Sequence, residues 1–417
     1  MSLKESANTF SNIPAGSSIS STLPPRFILL GGFLGAGKTT CVQHLVHWLE
    51  GQQLKAGVVT NDQADLLVDT AVAQDGGAAD RVRQISGGCF CCKADDLVAK
   101  LHELQEAVKP DVLIAEPVGS CTDLMATVIL PLQQIYREKF LMAPMSVVVD
   151  AVRMFAAWFP AKGKKVARFS SDVDYIFLKQ LEEAEIVVLN KIDLLTAAQR
   201  AKLREQMFPY TKKPLLEVST QTGEGLDAWF TQLMTKTSAP GKLMEVDYER
   251  YAAGEALMGW YNAALSLHTT RNPINGNKLL TQLAEEIMKD LEGEGVELAH
   301  FKMSLKTPEL PTRIQASAKA PGNGGTGYLG VVNVVRNGQK PTLSRRLSGP
   351  VVAGEFLVNL RAEGAPEILE AVVGRHLDKA RAAVRFVWRE KCAFRPGRPV
   401  PVHRVTSLAA KHDMFMS

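Results

Sequence analysis

The sequence contains no apolar run close to the about 20 residues that a helix needs to span a membrane. Its first 24 residues, rich in serine and asparagine, lack the apolar core of a signal peptide, so we expect a flexible tail over 1–24. The formal charge of +4 is small for 417 residues, and we expect neither nucleic acid nor a membrane as a partner. The composition is that of a globular chain with two or three domains.

Histidine and cysteine are also scarce. The eight histidines are scattered along the chain, whereas three of the six cysteines fall within four positions, at Cys89, Cys91 and Cys92. This spacing is too tight for them to pair comfortably with one another as structural disulfides. Together with the glycine-rich segment at 32–39, the cluster favours reduced thiols and a cytoplasmic location.

From residue 26 onward, short apolar runs alternate with helical patterns. Near-continuous apolar runs are typical of strands in a parallel sheet that is covered on both faces. We therefore expect an α/β fold, a P-loop doubly wound and mostly parallel sheet (a G domain), over residues 25–236. The expected strands are 27–30, 56–60, 112–115, 146–149, 186–189 and 215–218, and the expected helices are 38–50, 94–108, 172–183, 196–206 and 225–233.

A segment of small and polar residues then marks a linker, placed at 237–244, after which the pattern changes to alternation. Alternation is typical of strands with one buried face, and a smaller C-terminal α+β domain is expected over 245–390, with a ferredoxin-like arrangement as one option. Residues 391–417 are expected to be a basic, irregular tail. The expected strands are 296–305, 328–336, 355–361 and 382–389, the helices 277–291 and 366–379, and the mobile loops 316–326 and 337–350.

Residues 32–39 match the phosphate-binding loop G-x-x-x-x-G-K-[ST], with a strand before the loop and a helix after it. Its glycines let backbone amides close around phosphates, Lys38 reaches the β- and γ-phosphates, and the Thr39 hydroxyl ligates Mg²⁺. The nucleotide-binding residues expected here are Gly32, Gly35, Gly37, Lys38, Thr39 and Thr40.

Asn190-Lys191-Ile192-Asp193 directly follows the run 186–189. An Asn-Lys-x-Asp at a strand end is the usual guanine reader of GTPases. The Asp193 carboxylate can accept hydrogen bonds from N1–H and N2–H₂ of guanine, and adenine lacks that donor pair. Ser219, just after the next strand, lies where a base-contacting loop is expected. The expected nucleotide is therefore GTP.

Glu116-Pro117-Val118-Gly119 follows the run 112–115. Glu116 could hold Mg²⁺ through water or orient the attacking water, and Gly119 could donate to the γ-phosphate. Asp62, at the end of the preceding strand, could supply a second carboxylate that senses the nucleotide. A helix or loop cap is the alternative for either carboxylate. Lys38, Glu116 and Asp62 are thus the catalytic candidates, and Thr39, Asp62 and Glu116 are the candidates for Mg²⁺.

Cys89, Cys91 and Cys92 offer three thiolates, which can bind Zn²⁺ or Co²⁺ with a fourth ligand from elsewhere. Adjacent cysteines diverge in a strand, but Gly87-Gly88 before the cluster supplies a turn that lets both face one ion. The alternatives are a redox pair, small buried apolar side chains, and an Fe–S cluster in which Cys121 would be the fourth cysteine.

Taken in order, these four motifs resemble those of the CobW/HypB/UreG group of GTPases. The Cys-x-Cys-Cys motif resembles that of the CobW-like branch of this group. Members of the group are GTP-hydrolysing metallochaperones that deliver zinc, cobalt or nickel to client enzymes or cofactor pathways. The resemblance covers about 25–236 and implies that GTP and metal bind at the motif residues. It implies as partner a client metalloenzyme or a cofactor-pathway protein, and we add a nucleotide-dependent homodimer as an expectation. Many members have a histidine-rich segment, and its absence here argues against bulk metal storage.

We therefore expect a GTPase whose nucleotide state changes metal affinity at the cysteine cluster. Its intrinsic turnover should be slow, because no residue stands out as a catalytic arginine supplied in cis. One alternative is a regulatory GTPase that guards cofactor loading of a client, such as a cobalamin enzyme, with structural cysteines. A P-loop kinase, which Asp193 argues against, and a non-enzymatic scaffold are the others.

Overall fold

The computed structural model describes residues 24–61, 79–160, 169–308 and 327–408. None of the helices within these ranges combines the length and the apolar character required to cross a bilayer. The N-terminal domain is built on a parallel sheet. Its strands are β1 (Arg26–Gly31), β2 (Ala56–Asn61), β3 (Val82–Ile85), β4 (Val112–Glu116), β5 (Leu141–Met142), β6 (Ser146–Asp150), β7 (Ile186–Asn190) and β8 (Leu215–Glu217).

The strand order is β3-β2-β4-β1-β6-β7-β8, with β5 paired beside the start of β1, and every pairing is parallel. Every residue of the inner strands β4, β6 and β7 is buried, as their unbroken apolar sequences predicted. The edge strand β3 was not expected, because its two middle residues, Arg83 and Gln84, interrupt the apolar pattern.

Helices cover both faces of this sheet. Leu97 and Leu101 join the core on one face, and Leu45 and Trp229 join the core on the other. The doubly wound fold is thereby confirmed. The helices are α1 (Lys38–Gly51), α2 (Ala94–Val108), α3 (Leu130–Gln134), which continues a π-helical turn at Met125–Ile129, α4 (Ala151–Trp158), α5 (Ser171–Glu183), α6 (Ala197–Met207) and α7 (Leu226–Thr235).

The C-terminal domain is a second sheet, entirely antiparallel, with two helices that follow its strands. Its elements are α8 (Tyr248–Leu257), β9 (Met258–Thr269), α9 (Gly276–Gly293), β10 (Glu297–Lys306), β11 (Leu329–Val334), β12 (Thr342–Arg345), β13 (Ala353–Glu363), α10 (Pro366–Lys379) and β14 (Val384–Phe394). The order is β12-β11-β10-β13-β9-β14. Without β11 and β12, the succession is β-α-β-β-α-β, the ferredoxin-like arrangement, in the α+β domain that the alternating patterns predicted.

Four elements of this domain differ from the sequence expectation, and the first is α8, since no helix was expected over 248–257. Strand β9 lies between β13 and β14 and is buried almost throughout, so it shows no alternation and was missed. Strand β12 lies inside the expected loop 337–350, where pairing with β11 orders an otherwise polar edge. Strand β14 extends to Phe394 because it pairs with β9 along its whole length.

The two domains share one apolar core, since Trp260 and Ala299 pack with residues of the parallel sheet. Arg153 of α4 donates from Nη2 to the carbonyl oxygens of Leu298 (2.9 Å) and Ala299 (3.2 Å). A Cβ on Gly35 would lie 2.9 Å from the Ala299 oxygen. The tip of the phosphate-binding loop therefore touches the C-terminal domain.

Candidate nucleotide and metal sites

The phosphate-binding loop connects β1 to α1. Gly32, Gly35 and Gly37 have φ angles of +133°, +76° and +99°, a region that favours glycine. Gly37 is the N-cap of α1 and makes no side-chain capping hydrogen bond, so the first amides of the helix are available to an anion. Lys38 is buried and its Nζ donates to the Gly32 oxygen at 2.8 Å, which holds the ammonium group over the loop.

The Thr39 hydroxyl donates to Glu116 Oε1 at 2.7 Å. Glu116 is buried at the end of β4, next to β1 in the sheet, so the parallel strands bring these oxygens together. Mg²⁺ prefers oxygen ligands such as hydroxyl and carboxylate groups, so the side chains of Thr39 and Glu116 fit that ion. Thr40 is exposed in the first turn of α1. Asp62 lies outside the described residues.

The Asn-Lys-x-Asp segment contacts the phosphate-binding loop directly. Asn190 Nδ2 donates to the Ala36 oxygen at 2.9 Å, and Lys191 Nζ donates to the Gly35 oxygen at 2.7 Å. Lys191 also forms an ion pair with Asp150 Oδ2 at 2.6 Å. Burial opposes ionisation of Asp150, but the Lys191 ammonium keeps the pKa of this carboxyl below its ordinary value.

Sequence reasoning missed Asp150. It ends β6, and its side chain accepts hydrogen bonds from the amides of Val152 and Arg153, which caps α4. An aspartate at the end of an apolar run, before a helical pattern, was the available signal. Its partner Lys191 could not be inferred, because it lies 41 positions away.

Asp193 and Ser219 also meet, since Ser219 Oγ donates to Asp193 Oδ1 at 2.6 Å. The amide of Thr220 donates to Asn190 Oδ1 at 3.2 Å, which fastens the loop after β8 to the end of β7. The expected phosphate, magnesium and guanine residues that the structure describes therefore gather at the carboxyl edge of the parallel sheet. Ligands of open α/β sheets bind at this edge.

Gly119 packs against the same loop. A Cβ at this position would lie 2.8 Å from Leu34 Cδ2 and 2.9 Å from the Leu34 amide nitrogen. Its carbonyl oxygen accepts a hydrogen bond from Gln180 Nε2 at 3.0 Å. The segment after β4 is therefore fitted closely to the phosphate-binding loop.

The three clustered cysteines lie on a turn between β3 and α2. Gly87 takes a φ of +74°, and the amides of Cys92 and Lys93 both donate to the Cys89 oxygen, at 3.0 and 2.9 Å. The Cys89 sulfur lies 2.8 Å from the Cys91 sulfur and 3.0 Å from the Cys92 sulfur, and the Cys91 and Cys92 sulfurs are 3.8 Å apart. Sulfurs around a tetrahedral zinc ion are about 3.8 Å apart, so the donor set fits zinc with small adjustments.

Cys121, which sequence reasoning considered only for an Fe–S cluster, is a neighbour of this turn. Hydrogen bonds from the thiols of Cys121, Cys91 and Cys92, in that order of effect, hold the pKa of Cys89 well below its usual range. The same sharing raises the pKa of Cys91 and Cys121. This arrangement of thiols therefore favours the thiolate form of Cys89.

The cysteine turn is tied to the nucleotide-binding sheet. Asn61, the last residue of β2, donates from Nδ2 to the oxygens of Gly88 (2.7 Å) and Ile85 (3.1 Å). The cysteine turn is also covered by the C-terminal end of the described chain, where the Val402 amide donates to the Cys91 oxygen at 2.9 Å. No local pattern could have placed residues 400–405 here, because they are about three hundred positions from the cysteines.

Comparison with known proteins gave a family match. Residues 26–213 match the model of the family described as "CobW/HypB/UreG, nucleotide-binding domain". The zinc chaperone CobW of Sinorhizobium sp. is 28% identical over 211 residues, which are 47% of this chain and 59% of that protein. The zinc chaperone YeiR of Escherichia coli K12 is 37% identical over 95 residues, 22% of this chain and 28% of that protein.

The chain thus spans less than two thirds of the length of these curated relatives. Among solved structures, Zn(II)-bound YjiA GTPase from E. coli covers 84% of this chain, and 98% of its own chain is matched, at 16% identity and a TM-score of 0.33. Motif order, strand order and the family match agree that residues 26–213 resemble the CobW/HypB/UreG nucleotide-binding domain.

Proposed function

We propose that this protein is a GTP-hydrolysing metallochaperone. It binds zinc, cobalt or a similar divalent metal at Cys89, Cys91 and Cys92 and delivers it to a client protein or cofactor pathway under nucleotide control. The observation that carries this proposal is the contact of Asn61 with Gly88, because it joins the end of a nucleotide-binding strand to the cysteine turn. The zinc-chaperone names of the relatives support the metal part.

The nucleotide part rests on the site at the sheet edge. Asp193 selects guanine, Lys38 and the loop amides hold the phosphates, and Thr39 with Glu116 would hold Mg²⁺. The bound ion would offset the charge that develops on the transferred phosphoryl group. Glu116, with Asp62 as the second candidate, orients the attacking water.

The metal part rests on the three adjacent sulfurs. All three lie within 4.8 Å of one another, and Cys89 and Cys91 are buried, which protects bound metal from competing ligands. Hydrogen bonds from the neighbouring thiols favour the thiolate form of Cys89, which is the form that binds metal. Reduced thiols of this kind belong in the cytoplasm, where metal is transferred between proteins.

The coupling between nucleotide state and metal affinity follows from the position of the cysteine turn. The chain leaves the carboxyl edge of the sheet after β2 and after β4, and the cysteine turn lies between these two segments in sequence. GTP with Mg²⁺ orders the loops after Asp62 and around the cysteines, and hydrolysis loosens them and releases the metal to the client. A nucleotide-dependent homodimer would be a further consequence of the same ordering.

Metal competition on the purified full chain tests this function. Affinity for Zn²⁺ is measured against a chromophoric chelator with a non-hydrolysable GTP analogue, with GDP and without nucleotide. We expect the tightest binding with the GTP analogue, and Cys89→Ser should abolish the difference while Cys41→Ser, at a buried cysteine of α1, preserves it. Equal affinities in all three states would remove the coupling. Tight, stoichiometric zinc in every state would favour the regulatory GTPase with structural cysteines.

A further inference from the structure

We propose that Asp150 is a positioning residue of the nucleotide site, which acts on the phosphate-binding loop through Lys191. Asp150 lies at the end of β6, outside the sequence motifs on which the nucleotide part of the proposed function depends. This inference rests on the proposed function and deepens it, because it names a residue that fixes the geometry in which GTP is bound.

The two carboxylate oxygens of Asp150 have separate partners. Oδ1 accepts hydrogen bonds from the amides of Val152 and Arg153, both at 2.9 Å, and so caps helix α4. Oδ2 accepts a hydrogen bond from Nζ of Lys191 at 2.6 Å. Because one oxygen is enough for the cap, the second oxygen is available to hold the Lys191 ammonium group.

Lys191 extends this contact to the phosphate-binding loop. Its Nζ also donates to the Gly35 oxygen at 2.7 Å, so one ammonium group joins the Asp150 carboxylate to the tip of the loop. The side chains of Asp150 and Lys191 are only 5% and 21% exposed, and solvent therefore screens this ion pair weakly. Asp150 thus fixes the group that holds the loop tip.

Gly35 is also held from a second side, by way of the same turn of α4. Arg153 donates from Nη2 to the Ala299 oxygen at 3.2 Å, and a Cβ on Gly35 would lie 2.9 Å from that oxygen. Glycine restricts its own backbone little, so the shape of a glycine-rich loop depends on such outside contacts. The turn that Asp150 caps therefore locates both contacts of the loop tip.

The competing role for Asp150 is that of a helix cap alone. Asp247 shows what such a cap looks like in this chain. Its Oδ1 accepts hydrogen bonds from the amides of Glu249 (3.0 Å) and Arg250 (3.1 Å) at the start of α8, which is the same pattern of bonds. What Asp150 adds to this pattern is the ion pair with Lys191, and this pair leads to the nucleotide site.

Asp150→Asn separates the two roles. The amide oxygen can keep the cap, but an N–H₂ donor then faces the Lys191 ammonium group in place of the anion. With GTP and Mg²⁺, KM should rise about tenfold and kcat should change by less than about twofold, because the loop holds the nucleotide both before and during hydrolysis. Partial misfolding would instead lower kcat and leave KM unchanged. The matched control Asp247→Asn should keep both constants.

A double-mutant cycle tests whether Asp150 acts through Lys191. Lys191→Met should weaken binding of the GTP analogue about tenfold, and Asp150→Asn combined with Lys191→Met should bind it no more weakly than either single variant. Additive losses would overturn the inference, because Asp150 would then act independently of Lys191.

A wild-type KM in Asp150→Asn would overturn the inference as well. So would wild-type affinity in Lys191→Met, and this outcome does not depend on the folding of Asp150→Asn. The proposed function fails separately, if the wild-type protein does not hydrolyse GTP or if its affinity for Zn²⁺ does not depend on the nucleotide.

Discussion

The backbone amide of Val402 donates to the carbonyl oxygen of Cys91 across a distance of 2.9 Å. Residues 400–405, here termed the C-terminal strap, therefore lie over the cysteine turn. The Val400 amide reaches Cys92 Sγ at 3.4 Å, and the Val405 amide donates to the Ala126 oxygen at 2.8 Å. Since the strap follows β14, the C-terminal domain carries a cover for the cysteine turn.

Arg404→Ala should loosen this cover. Arg404 Nε lies 2.6 Å from Asp123 Oδ2, and the Asp123 side chain is only 2% exposed, so the ion pair anchors the strap to the N-terminal domain. We expect alkylation of Cys92 in the metal-free protein to become several-fold faster, measured by mass spectrometry of the modified peptide. Arg398→Ala removes an exposed ion pair with Glu249 in the same part of the chain and should change little. Equal rates in both variants would show that the strap does not limit access.

Asp193→Asn should change the base that the protein accepts. The amide cannot accept both guanine hydrogen bonds, and losing one bond to a charged group costs about 1.5–3 kcal/mol, so GTP affinity should fall about tenfold to a hundredfold. Xanthosine triphosphate, with an oxygen in place of the guanine amino group, should bind the variant better than wild type. Fluorescent analogues of both nucleotides measure this. Unchanged GTP binding would contradict the role of Asp193.

Gly119→Ala should weaken nucleotide binding by displacing the phosphate-binding loop. The new methyl group would lie 2.9 Å from the Leu34 amide nitrogen, and this backbone atom cannot rotate away as a side chain can. Gly51→Ala, where nothing lies within 4 Å, is the matched control and should bind nucleotide as wild type does. The measurement is GTP-analogue affinity, with thermal unfolding to verify the fold. Equal affinities would show that the loop tolerates the shift.

Glu183→Gln should reduce the dependence of stability on pH. Burial, followed by the nearby Asp123, raises the pKa of Glu183 to about 8 from the ordinary 4.5. Between these values the unfolded chain releases a proton that the folded chain retains, so stability falls as pH rises, by up to about 1.4 kcal/mol per pH unit. The glutamine resembles the protonated acid and removes this slope.

The free energy of unfolding, measured in urea, should differ less between pH 5 and pH 8 for Glu183→Gln than for wild type. At pH 8 the variant should be more stable than wild type. Glu182→Gln, at an exposed neighbouring position paired with Lys179, should keep the wild-type slope. An unchanged slope in Glu183→Gln would mean that Glu183 ionises normally. Part of the slope should survive in any case, because burial also raises the pKa of Glu255 to about 8.

Much of the fold could be predicted because it depends on local pattern. The buried runs at β4, β6 and β7 are apolar on both faces, and Thr196 with Gln199 forms a capping box at the start of α6. Two of the strands that were not predicted share a cause. Strands β3 and β12 are polar edge strands, ordered by their neighbours rather than by their own sequences.

By itself, the sequence determined the elements and the chemistry that each motif can perform. The glycines permit the left-handed backbone of the phosphate-binding loop, and three cysteines within four residues can share one ion wherever the turn is placed. Only the tertiary structure paired Lys191 with Asp150, joined Asn61 to Gly88 and laid the strap over Cys91. Such contacts join positions from about thirty to three hundred residues apart. Periodicity and spacing describe near neighbours, and only the packing of two sheets brings distant residues together.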